Sequence, residues 1–181
     1  MNILGLDLGH TTTVEAEHWL ADLPPVPGLV ACTHLVHGSR PRVVITLGAP
    51  ADLDLSTLPA RFGPAGTGSG RGLDGGDDAS LAAAGDHAAG RAGRAVVYPG
   101  VELLTGTVTV AELLAASAID RIRIVGGDQG AVGPDTLVDT RNFVRPQWMD
   151  GRLTLAASPA PAGRIAPFEV PNPTPCCGGE H

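Results

Sequence analysis

Apolar residues recur along the chain in two rhythms. Residues 2–8 (NILGLDL), 29–37 (LVACTHLVH) and 42–48 (RVVITLG) are short apolar runs that predict strands, the last two joined as a hairpin by GSRP. Between the first and second runs, Thr12-x-x-Glu15 has the form of a capping box. Val14, Trp19, Leu20 and Leu23 follow at helical spacing, and PPVPG ends the helix. The same signal returns at Thr109-x-x-Glu112, ahead of Leu113 and Leu114. Residues 95–104 read as extended chain broken at Pro99-Gly100, and 119–127 as a buried strand ending in Gly. Residues 136–144 and 145–157 predict strands with a tight turn at Asp150-Gly151, and 164–170 a last strand.

Two or three helices against about seven short strands define an α+β (or irregular α/β) fold: one small domain with a mixed sheet. The strand–helix–strand pieces could each form a right-handed crossover. Strand order is not written in the local pattern.

Residues 63–94 break the rhythm: ten of these 32 residues are Gly, and only Leu73 and Leu81 are large and apolar. Such a stretch cannot offset its own ordering entropy, so a flexible, disordered Gly/Ala-rich insertion is expected, with a brief helix near Ser80–Ala84. The domain then comprises 1–62 and 95–172, and residues 173–181 form a Pro/Cys/His tail.

Composition narrows the function classes. The 181 residues are 43% hydrophobic, enough for a core, yet only six are aromatic, so that core must come mainly from Val, Leu, Ile and Ala. All 12 basic residues are Arg. Without Lys there is no Schiff-base amine and no Walker-type phosphate contact. A net charge of −7 with dispersed Arg argues against nucleic acid as a partner. No apolar run is long enough to span a membrane, and the N-terminus lacks a basic leader, so a cytoplasmic protein with reduced thiols is expected.

The chemistry concentrates in the three cysteines. Cys176, Cys177 and His181 lie within the last six residues, and Cys32 and His34 stand two apart in a predicted strand, on the same face. Thiolates and imidazoles suit Zn(II) or Cu(I). If the two stretches converge, Cys32, His34, Cys176 and Cys177 could complete a four-ligand site, with His181 brought near by the Gly178-Gly179 turn. Adjacent cysteines depart from zinc-knuckle spacing. A redox role for the vicinal thiols, or a tail without function and a buried Cys32, are the alternatives. A Cys32 thiolate–His34 imidazolium pair would require the two side chains to reach hydrogen-bond distance.

The segment ILGLDLGHTTT resembles the first phosphate-binding hairpin of the actin, heat-shock chaperone and sugar-kinase superfamily. The resemblance implies Asp7 on the metal side, Gly9 at the tight turn, and Thr11 and Thr12 facing phosphates. IDRIRIVGGDQG likewise looks like that superfamily's adenosine loop, through Gly126 and Gly127. A second phosphate loop of the family is absent. A strand, a Gly turn and a helix cap account for the same residues, and a helix N-terminus alone can hold an anion.

The leading expectation is therefore a small cytoplasmic, non-enzymatic binding protein that ligates Zn or Cu(I) through its C-terminal cysteines. The alternatives are a phosphate- or nucleotide-binding protein or small enzyme using Gly9–Thr13, and an interaction module with a protein partner and neither site.

Overall fold

The computed structural model describes residues 2–38, 40–51, 78–127 and 132–171. Among them three α-helices pack on a ten-stranded mixed sheet, a single small α+β domain. The chain runs β1 (Asn2–His10), α1 (Thr13–Ala21), β2 (Val30–Val36), β3 (Arg42–Ala49) and α2 (Asp78–Ala88). It continues through β4 (Arg94–Val97), β5 (Thr107–Thr109), α3 (Val110–Ala116) and β6 (Arg121–Ile124). It closes with β7 (Leu137–Asp139), β8 (Gln147–Met149), β9 (Arg152–Ala160) and β10 (Arg164–Pro167). No helix among the described residues is long and apolar enough to cross a membrane.

Both capping boxes form. Thr12 accepts from the Glu15 amide at 3.2 Å while Glu15 takes back the Thr12 amide, and Thr109 and Glu112 repeat the exchange. Each satisfies amides that the first helical turn leaves unpaired. The β2–β3 hairpin pairs in register from Val30↔Gly48 to Val36↔Arg42. Asp150 and Gly151 both take positive φ, 53° and 73°, and link β8 to β9 through the expected tight turn.

The sheet order is β1-β3-β2-β4-β8-β9-β10-β7-β5, with β6 pairing parallel to β9. β3 lies between β1 and β2, antiparallel to both, so the connection through α1 from β1 to β2 crosses over β3, which comes later in sequence.

Strand alternation sorts the first half of the sheet into two covered faces. Ala31, Val43, Ile45 and Leu47 pack with Ala16 and Leu20 of α1. The intervening residues turn toward α2. Gly5 and Gly48 let that helix come in close: a Cβ on Gly5 would sit 2.3 Å from the Ser80 carbonyl oxygen, and one on Gly48 3.0 Å from the His87 ring. A second core joins β4, α3 and β6–β10 around Tyr98, Leu113, Leu153 and Leu155. The Tyr98 hydroxyl donates to the Val144 carbonyl at 3.1 Å.

The flexible insertion expected over 63–94 is corrected from residue 78 onward. Residues 78–88 form a full α-helix whose Ser80, Ala83 and His87 are buried, and Arg94 opens a strand. Small residues make that helix a tight-packing element despite its low hydrophobicity. Residues 63–77 lie outside the described residues.

Candidate functional site

Between α2 and the sheet lies a chain of three polar side chains. His34 Nε2 is 2.9 Å from Thr46 Oγ1, and the same hydroxyl is 2.8 Å from His87 Nδ1. Pairing along the β2–β3 hairpin and the last turn of α2 bring together residues 12 and 41 positions apart in sequence. His87 is 2% exposed, and its Nε2 has no hydrogen-bond partner among the described residues. The His87 ring lies 5.9 Å from that of Trp148.

The Thr46 hydroxyl has one proton, so it donates to one imidazole and accepts from the other. That arrangement requires the ring that accepts the hydroxyl proton to be neutral. Burial pulls His34 and His87 down to about 4, Asp86 working against it at His34 and His34 adding to it at His87. With Nε2 committed to Thr46, Nδ1 is the His34 nitrogen left for an external partner. His34 lines a cleft of about 700 Å3 together with Ala83, Asp86, Arg91 and Trp148.

Cys32 shares the His34 face, as strand alternation requires: a Cβ on Gly93 would meet both, His34 at 3.0 Å and Cys32 at 3.2 Å. Its environment departs from the expected ligand. Cys32 is 0% exposed and burial pushes its thiol up to about 12, with the neighbouring Thr46 and Trp148 opposing the shift. It is a protonated core residue, so the thiolate–imidazolium pair does not form. Cys176, Cys177 and His181 lie outside the described residues. Among the described residues no group of three or more His, Cys, Asp or Glu could hold a metal ion.

Several polar groups around the Gly9–Thr13 turn bond within the chain, while the buried His10 Nε2 has no partner among the described residues. Asp7 takes the Gly9 amide at 3.0 Å and pairs with Arg42 at 2.5 Å. The Glu15 carboxylate accepts from the Thr11 amide at 2.7 Å, the Thr11 hydroxyl at 3.2 Å and the Thr12 amide at 3.3 Å. These bonds hold Glu15 below the ordinary carboxylate range. Of the hydroxyls that the nucleotide reading turned toward phosphate, that of Thr11 serves the Glu15 carboxylate and that of Thr12 accepts from the Glu15 amide. Gly126 and Gly127 follow β6 after Val125, and residues 128–131 lie outside the described set.

Sequence reasoning missed His87, assigned to the insertion, and a second constellation on the α1 face. Glu17 bridges two arginines, with Arg94 Nη1 at 2.8 Å from Oε1 and Arg145 Nη2 at 2.8 Å from Oε2. Arg94 also holds Glu169, and the Arg145 guanidinium lies 4.3 Å from the centre of the Phe143 ring. The partners stand 75 to 128 residues apart, so no local pattern could reveal them. The two arginines hold Glu17 below the ordinary carboxylate range against an opposing desolvation. Glu17→Ala leaves two guanidiniums confronting each other with one partner fewer. We expect a loss of about 2 kcal/mol in urea unfolding, below the figure for a fully buried pair because the cluster touches solvent.

Among the described residues, one cleft of this α+β domain is bordered by His34 and another by Arg94 and Arg145. No family model, curated protein or solved structure matches this chain.

Proposed function

We propose that the protein is a non-enzymatic binder of a soft or borderline metal ion, Zn(II) or Cu(I), which it holds with His34 and the thiolates of Cys176 and Cys177, His181 being the available fourth donor. The observation that carries this reading is the state of His34. It is a neutral imidazole at a cleft wall, with one nitrogen fixed by the Thr46 hydroxyl. A metal-bound imidazole commonly uses its second nitrogen in that way, and the bond sets both tautomer and ring orientation. Cys32 has no part in the set, because its buried thiol would have to ionise away from water.

Chain connectivity supports the tail as the source of sulfur. Pro171 lines the α1-side cleft, which shares Thr13, Arg94 and Gln147 with the cleft of His34. Five further residues reach Cys176, a span of at most ~18 Å when extended. The prolines before it lower the entropy lost when that segment is held. A metal would supply the binding energy that a Gly/Pro tail cannot gain from apolar packing.

The test is metal content and uptake by the reduced full-length chain, followed by mass spectrometry. About one Zn(II) or Cu(I) per chain is expected. C176S/C177S should abolish uptake, and Thr46→Val should weaken it by about 10- to 100-fold through the loss of the orienting bond. Failure to take up either ion, or uptake that the double serine variant retains, overturns the reading.

A further inference from the structure

The cleft on the α1 side encloses about 710 Å3, with Arg94 and Arg145 among its charged residues and Val14, Phe143, Leu155 and Phe168 among its apolar ones. Its two carboxylates are not equivalent. Glu17 sits on α1, its side chain 17% exposed and its oxygens divided between the two arginines. Glu169 lies just beyond β10 with a side chain 37% exposed, and its partner is Arg94. Arg94 approaches it side-on: Nε lies 2.7 Å from one oxygen and 2.8 Å from the other, and Nη2 also donates. A guanidinium uses that fork for carboxylates in general, whether or not they belong to the chain.

We infer that this cleft is a receptor for a small monocarboxylate with an aromatic body, and that Glu169 is an in-chain stand-in which such a ligand displaces from Arg94. The inference is independent of the metal reading. Charge fixes the ligand class. With Glu169 swung out, Arg94, Arg145 and Glu17 leave one net positive charge, which a monoanion neutralises and a dianion would overcompensate. The apolar part follows from the walls. Phe143 carries the Arg145 guanidinium on its face, while Phe168 and Val14 remain 59% and 56% exposed beside the opening, apolar surface that a ligand ring would cover. Exchange needs no loss of sheet structure, because the Phe168 amide stays bonded to the Ala156 carbonyl at 2.9 Å and the Glu169 side chain alone has to turn.

Benzoate is the probe, titrated into isotope-labelled full-length protein and followed by NMR. Glu169→Gln removes the competing charge and keeps the shape. It should bind benzoate at least about tenfold more tightly than the wild type, the equivalent of one ordinary charge contact. Benzamide, with the same ring and no charge, should leave both proteins unchanged, and adding Arg94→Gln should cancel the gain. Equal benzoate affinity in the wild type and E169Q, or equal binding of benzamide, overturns the inference. If E169Q fails to fold, the wild type still decides. Saturating benzoate should move the Glu169 carboxyl carbon toward its free-solvent shift, and an unmoved signal overturns the proposal.

Discussion

Gly100→Ala should cost at least about 4 kcal/mol, most of the stability of a domain at the low end of the ordinary range. Gly100 has φ of 82° at the start of a single 3-10 turn after β4, and a Cβ there would sit 1.9 Å from the Ala116 carbonyl oxygen and 2.7 Å from Ser117 Cα. Both atoms are backbone, at the end of α3, so no rotamer change can relieve the overlap. The neighbouring Pro99 carbonyl also accepts from the Ala118 amide at 2.9 Å, which pins the two segments together. Gly106→Ala is the matched control. Its φ is 63° but a Cβ there meets nothing within 4 Å, so it should show only the left-handed backbone cost of about 1–2 kcal/mol. Urea unfolding of the two variants measures the difference. Equal losses would mean that α3 shifts freely away from the turn.

Acid should destabilise the protein well before its carboxylates titrate. His34 and His87 are ordinary imidazoles when unfolded, at 6.5, and fall to about 4 in the folded state. The unfolded chain therefore binds protons first. The stability contributed by burying neutral rings is complete above about pH 6.5 and is lost as pH falls toward 4, by about 3 kcal/mol for each ring. The geometry gives the cause: two cationic rings would flank one hydroxyl that can accept from both only by orphaning its own proton. Glu17 acts in a different window. Its folded value is lowered, so its contribution disappears only as pH falls below the unfolded carboxylate range. Urea midpoints at pH 7.5, 6 and 5 read the histidines, and His87→Gln should flatten the slope across that window. An unchanged slope in His87→Gln and His34→Gln would overturn this account.

What the sequence revealed was local. Two capping boxes, one hairpin and one Asp-Gly turn could be read because each depends on residues a few positions apart. α2 was underestimated for a physical reason. Its one large apolar residue, Leu81, is 64% exposed, while Ser80 and Ala83 face the sheet, so close approach replaces hydrophobic bulk and the usual signal is inverted. The strand order, and the parallel partners of β6 and β7, arise from pairings that no short pattern encodes. At the site, strand alternation gave the shared face of Cys32 and His34. It could not show that one would be sealed and the other left at a cleft, because that depends on α2.

The bridge from Glu17 to Arg94 and Arg145 has a mechanical consequence. Glu17 rides on the helix that covers one core, whereas Arg145 follows Val144, which belongs to the other. β4, which carries Arg94, supplies Val96 to the first core and Ala95 to the second. A few charged side chains thus act as a rivet through both layers, so neither half can loosen without transmitting the strain to its neighbour.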